Sequence, residues 1–201
     1  SAPFAPNLIV HKSNARLQED AALVAKHKAP LVIASVGSPA PVMETIHEYG
    51  GRVFEDIASM RHAEKAVETG VDGLILLTAG AGGQTGWANP FAFVRAVREI
   101  YKGPVVLAGG VSDGVALRAA MTLGCDLAYM GTRFIATQES MAVQAYKDRY
   151  VRAWVLYSAP LAGAPKALRA TISGDDCGFG WESLRESLVL VVKNIAVDHD
   201  L

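Results

Sequence analysis

Cysteine is nearly absent: Cys125 and Cys177 are the two among 201 residues. Two are too few for a disulfide framework, and neither has the company of a metal site. Cys125, in "LGCDLAYM", enters an apolar run and reads as a buried reduced thiol. An excess of charge is missing too, with 19 basic against 20 acidic residues and a net charge of −1. That excludes the basic stripe a nucleic-acid partner requires. His11, His27, His47, His62 and His199 show no metal-ligand spacing. No apolar run is long enough to span a bilayer and no signal-peptide pattern opens the sequence, so no membrane partner is expected. The expectation is a cytoplasmic protein.

What is present is apolar: 51% hydrophobic residues, enough for a sizeable core in one domain. Short runs mark candidate strands: "NLIV" (7–10), "LVIAS" (31–35), "RVF" (52–54), "GLILL" (73–77), "PVVLA" (104–108) and "LAYM" (127–130). Continuous runs of this kind suit strands buried on both faces of a parallel sheet. Between them apolar residues recur at helical spacing, as in Leu17, Ala21 and Val24, or Val94, Val97 and Tyr101. Pro41 and Pro90 stand near helix starts, and Gly50, Gly70 and Gly124 follow helix ends. The strand interval is that of a βα unit, so about six units over 1–135 predict either a (β/α)8 barrel or a doubly wound sheet. No linker interrupts them. Residues 136–201 read as a helical C-terminal appendage of the same domain, with helices expected over 141–156 and 181–196 and a loop over 159–180.

Three successive strands end in small residues: "TAGAGGQTG", "AGGVSDG" and "MGTRF". Backbone N–H groups can aim at a phosphate where no Cβ blocks the approach, which requires glycine. Gly109 and Gly110, with Gly131 and Thr132 on the next strand end, suit such a cradle. The alternative is that these glycines permit tight turns; two sets in register on adjacent strands favour the phosphate. In the loop at 78–90, Gln84 and Asn89 either project amides over a pocket or stabilise a solvated turn. Trp87 is a lid, a stacking surface or local packing. Glu55 and Asp56, at the end of the third strand, read as cap or loop hydrogen-bond formers, Asp113 as a helix cap, and Arg133 as a structural ion-pair partner. His11 is the histidine positioned to reach a pocket.

The segments "PFAPNLIVHKSN", "GVDGLILLTAGAGGQTG", "PVVLAGGVSDG" and "AYMGTRFIATQES" resemble the nitronate monooxygenase family, which is similar in turn to flavin-containing enoyl-acyl-carrier-protein reductases. The resemblance runs from about Pro3 to Ala142 and implies a flavin-binding TIM barrel. It implies an FMN site in which Asn7, at the end of the first strand, meets the flavin ring and Gly82 and Gly83 lie beside it. Gly109 and Gly110 match the phosphate-loop glycines, and Tyr129, Met130, Gly131 and Thr132 match the final phosphate-binding run.

Two departures stand out. Where the family carries a histidine base, this chain has Gln84, and a carboxamide cannot accept a proton near neutral pH. Deprotonation of a neutral nitroalkane should suffer, whereas a preformed nitronate needs no base; Gln84 is then left to orient substrate or flavin. Leu77 likewise replaces a glutamine common in the family. The family's first two strands, which precede "PF", have no counterpart, so an incomplete barrel of six βα units is expected. Its two open edges would be covered by the C-terminal helices or by a second copy, as a homo-oligomer. The implied activity is an FMN-dependent oxidoreductase that oxidises an alkyl nitronate or similar carbanion and passes electrons to dioxygen. The alternatives are an NAD(P)H-dependent reductase of an enoyl thioester or quinone, and a non-catalytic phosphate- or flavin-binding barrel fragment.

Overall fold

The computed structural model describes residues 4–81 and 85–148, together with a short strand at Val189–Leu190; the side chains of residues 132 and 133 are not described. Strands and helices alternate along the chain. The strands are β1 (Asn7–Ile9), β2 (Leu31–Ser35), β3 (Arg52–Ile57), β4 (Gly73–Leu77), β5 (Val105–Ala108), β6 (Leu127–Tyr129) and β7 (Val189–Leu190). The helices are α1 (Leu17–Lys26), α2 (Ala40–Glu48), α3 (Met60–Thr69), α4 (Pro90–Ile100), α5 (Gly114–Leu123) and the short α6 (Thr132–Ile135). All strand pairs are parallel, and the sheet order is β1-β2-β3-β4-β5-β6-β7.

That order decides between the two architectures the sequence allowed. A doubly wound sheet reverses direction at a switch point, whereas strands laid down in sequence are wound one way, as in a (β/α)8 barrel. Burial agrees with one-way winding. Val32, Ala34, Val53, Leu74, Leu76, Val105 and Leu107 pack with residues of the helices. The alternate residues Ile33, Phe54, Ile75, Val106 and Ala108 form a separate cluster on the opposite face, with no helical residue in it. Gly73 makes room there: a Cβ on it would collide with the Phe54 ring. The fold is therefore an α/β, barrel-type parallel sheet with helices on its outer face.

Most sequence expectations for the elements hold, with three corrections. Asn7 opens β1 instead of ending it, because Pro6 has no N–H to continue the ladder and contributes only its carbonyl, which accepts from Ile33 N at 2.9 Å. The sheet holds seven strands, not six. The seventh falls inside the stretch 181–196 expected to be helical; the apolar, β-branched run over 188–192 suits a strand on the edge of β6. Of the expected helix over 141–156, residues 144–148 are helical and 141–143 are not; 149–156 lie outside the described residues, as does the loop at 159–180.

The N-terminal ends of the strands are pinned by a device used twice. After α3, Gly70 caps in the left-handed region, and Asp72 N donates to Val53 O while its carboxylate accepts from Val53 N at 2.8 Å. After α5, Gly124 caps likewise, and Asp126 makes the same pair of bonds to Val105. Each carboxylate also meets a cationic or imidazole group one helix further back: His47 Nε2 of α2 at 2.8 Å for Asp72, Arg98 Nη2 of α4 at 2.6 Å for Asp126. Tyr49 and Tyr101 occupy equivalent places, donating to Ala29 O and Val71 O and lying over Gly51 and Gly103, where a Cβ would strike the ring. This end of the sheet is built for stability, leaving the opposite end for chemistry.

Candidate functional site

At the C-terminal strand ends, alternation and register turn Ser35, Asp56, Leu77, Ala108 and Tyr129 to the inner face, Ser35 and Asp56 two residues beyond Ile33 and Phe54 of the apolar layer and the other three at its edge. Asn7 shares that face through its pairing with Ile33. These residues were scattered in the sequence, and the sheet gathers them. Asn7 Nδ2 donates to Ser35 Oγ at 2.8 Å, and Ser35 Oγ–H donates in turn to Asp56 Oδ2. Burial pushes the Asp56 carboxyl above its ordinary value, and the Ser35 hydrogen bond pulls the other way. The Tyr129 phenol is pushed up to about 12, chiefly by burial and then by the charge of Asp56. The Asp56 charge thus acts on Tyr129 although two strands lie between β3 and β6 in the sheet order.

Glu55 and Asp56 are not cap or loop residues, as the sequence suggested. Glu55 points the other way, toward the helices, in register with Ala34 and Leu74. It is only 8% exposed, and its Oε2 is buried without a partner. Burial, reinforced by the neighbouring Asp56 charge, raises its pKa to about 7. The signal that could have exposed this pair was parity: two consecutive carboxylates within a strand must go to opposite faces.

The glycines expected to form a cradle lie at adjacent strand ends. Gly109 and Gly110 follow Ala108, and Gly131 follows Met130; Ala108 and Tyr129 are in register. Gly109 and Gly110 both take positive φ, 124° and 72°. A Cβ on Gly110 or on Gly131 would meet nothing within 4 Å, so both backbones face open space. Gly109 has a different reason: a Cβ there would lie 2.8 Å from Ala81 N, where the β4 and β5 loops press together. Thr78, fully buried, ties those loops by donating from Oγ1 to Ala108 O at 2.9 Å. Met130 is buried and Tyr129 half-buried.

The β4 loop itself is partly explained. Gly80 takes φ 97°, and Gly86 sits so close to Leu77 O that no Cβ fits. Gly82, Gly83 and Gln84 lie outside the described residues. Asn89 is a helix cap, accepting from Phe91 N at 2.9 Å, and does not reach over a pocket. Trp87 is 99% exposed and packs on nothing local. Asp113 caps α5 as expected, accepting from Ala116 N. His11 is exposed, 2.7 Å from Ser13 Oγ, and joins none of the inner-face groups. At the end of β2, directly after Ser35, Val36 is held at φ 65°, a conformation costly for a β-branched residue. Among the described residues no cluster of acidic, histidine or cysteine side chains could hold a metal ion, and no helix is long and apolar enough to cross a membrane.

A one-way parallel sheet with helices outside and glycines at the ends of β5 and β6 defines the barrel-type class of α/β proteins. The chain belongs to the nitronate monooxygenase family, whose model matches residues 6–156. It is 30% identical over 149 residues to a 5-hydroxy-7a-methyl-1-oxo-octahydro-1H-indene-4-carboxyl-CoA dehydrogenase of Rhodococcus jostii, covering 74% of this chain and 42% of the relative. It is 29% identical over 136 residues to a nitronate monooxygenase of Paraburkholderia phytofirmans, covering 63% and 37%. Among solved structures, FabK of Thermotoga maritima superposes with TM-score 0.69 at 30% identity, covering 74% of this chain and 47% of that one. A nitroalkane oxidase of Streptomyces ansochromogenes does so with TM-score 0.62 at 26% identity, covering 65% and 41%. The chain spans less than half the length of these relatives. A second family model, lecithin:cholesterol acyltransferase, matches residues 123–197, mostly outside the described residues; β6 within that stretch belongs to the parallel sheet.

Proposed function

We propose that the protein is an FMN-dependent oxidoreductase of nitronate monooxygenase type, taking electrons from a small organic substrate and passing them to dioxygen. The observation that carries this is the pair of glycines, Gly110 and Gly131, at adjacent strand ends, on neither of which a Cβ would meet a neighbour. A phosphate could approach both without meeting a Cβ, so the residues present fit the phosphate of FMN. Gly109, Gly110, Gly131 and Thr132 would hold that phosphate, with Tyr129 and Met130 in the same run. Asn7, Gly82 and Gly83 would lie along the ring, and Gln84 would face the substrate. When bound, the flavin supplies the two-electron redox chemistry, and the protein supplies orientation and electrostatics.

The direct test is an absorption spectrum of the purified protein, repeated on the supernatant after denaturation. Flavin bands released on denaturation support the reading; a colourless protein that takes up no added FMN overturns it. A second reading, oxidoreduction of a coenzyme A or carrier-protein thioester, is favoured by the carboxyl-CoA dehydrogenase of Rhodococcus jostii among the relatives. Turnover of an acyl-CoA and not of propyl-2-nitronate would select it. A homo-oligomer that covers the edge of β1 is part of the proposal, and sedimentation at two concentrations tests it.

A further inference from the structure

We propose that Asp56 is the catalytic base of this site, and that the substrate is a neutral carbon acid and not a preformed anion. Four observations lead there. Asp56 carries the sole charge among the described inward-facing residues at the C-terminal strand ends; the others are Ile9, Ser35, Leu77, Ala108 and Tyr129. Its Oδ2 is held by Ser35 Oγ–H, whose oxygen is held by Asn7 Nδ2, so the carboxylate is fixed in one orientation. The hydrogen bond described for Asp56 engages Oδ2 and not Oδ1, and the residue is part-exposed. A part-exposed carboxylate with one oxygen outside that bond, on the inner face, is a proton acceptor. Finally, Tyr129 faces inward on the last strand end of the family match, and its phenol, pushed up by burial and by the Asp56 charge, keeps its proton and stays a hydrogen-bond donor.

The electrostatics point to the charge of the substrate. A fixed negative charge with no described cation beside it disfavours an anion and favours a neutral molecule that becomes anionic only as Asp56 is neutralised. In the step, the C–H bond beside a nitro or thioester carbonyl group breaks. Its electron pair passes to the carbon and the adjoining oxygens, and the proton forms an O–H bond at Asp56 Oδ1. Tyr129 O–H is suited to donate to the oxygen that gains charge. Burial raises Asp56 above an ordinary carboxylate and makes it a stronger base. This supplies the base that Gln84 cannot be. It rests on the proposed function for the fate of the electrons, but proton abstraction itself needs no cofactor.

The test therefore reads the proton. The purified protein is incubated without dioxygen in deuterated buffer with 2-nitropropane, and loss of the C2 proton is followed by NMR against buffer alone. The wild-type protein is expected to accelerate exchange. Asp56→Asn should lose about a hundredfold of that acceleration, Asp56→Glu should keep part of it, and Glu55→Gln, on the far face of the strand, should match wild type. Urea unfolding of each variant shows that the fold is intact. Wild-type exchange in a folded Asp56→Asn variant, or no acceleration by the wild-type protein, overturns the proposal. A colourless protein with Asp56-dependent exchange keeps it while overturning the flavin reading; a yellow protein without exchange does the reverse.

Discussion

Replacing Glu55 by glutamine should remove a pH dependence from the stability of the protein. Glu55 lies between sheet and helices, with Oε2 buried and unpartnered and its pKa raised from 4.5 to about 7. A group whose pKa is raised on folding favours the folded state while it is protonated. Its contribution is complete below about pH 4.5, falls as pH rises, and is lost once pH passes about 7. At about 1.4 kcal/mol per unit, a shift from 4.5 to about 7 corresponds to about 3 kcal/mol. Glutamine is neutral throughout and has no such slope. It brings an NH2 that needs a partner, at a cost of about 1–3 kcal/mol that does not vary with pH. The variant is therefore expected to be no more stable than wild type near pH 5 and to gain on it by about 2–3 kcal/mol by pH 8. Urea unfolding of both proteins at half-unit steps measures this, because groups common to the two cancel in the difference. A difference that stays flat from pH 5 to pH 8 would show that Glu55 is solvated or paired, and the reasoning fails.

Gly110→Ala and Gly50→Ala form a matched pair, since both glycines have positive φ and neither Cβ would meet a neighbour. Each should cost about 1–2 kcal/mol of stability, but only Gly110→Ala should weaken FMN binding, read by quenching of flavin fluorescence. Arg98→Ala removes bonds to Gly124 O, Gly103 O and Asp126, all at 2.6 Å, from a side chain that is 15% exposed, and should cost about 2–4 kcal/mol in urea unfolding. His47→Ala, its half-exposed counterpart on Asp72, should cost less than about 1 kcal/mol; equal losses would mean the two pins are not the devices described. Gln84→His, made in the Asp56→Asn background where no base remains, should restore part of the turnover of neutral 2-nitropropane, and no recovery would mean that residue 84 does not face the substrate.

The outer architecture was legible in the sequence because its signals are local. Apolar runs gave six strands to within a few residues, and Gly70, Gly124, Asn89 and Asp113 act as the caps their residue types favour. The turn after β5 was legible for a related reason: only glycine takes the φ of Gly109 and Gly110 without strain. The Asn7–Ser35–Asp56 chain was not, since it depends on the register of three strands, and register is set by packing across the sheet. β7 escaped because two paired residues in an apolar run carry no periodicity that separates strand from helix.

Asp56 and Glu55 are consecutive, yet the pleat gives them opposite duties, and one substitution separates these. The raised pKa of Glu55 has burial as its main cause and the Asp56 charge as its lesser one. In Asp56→Asn the lesser cause vanishes and the larger one remains. The pH dependence of stability assigned to Glu55 should then persist, with its upper limit moved somewhat below pH 7, while the exchange of 2-nitropropane is lost. If it disappeared entirely, the repulsion and not the burial would be the dominant cause, and the two carboxylates would have to be treated as one coupled pair. If it were unchanged, the charge of Asp56 would not reach across the strand, and its reach to Tyr129 on β6 would be in question as well.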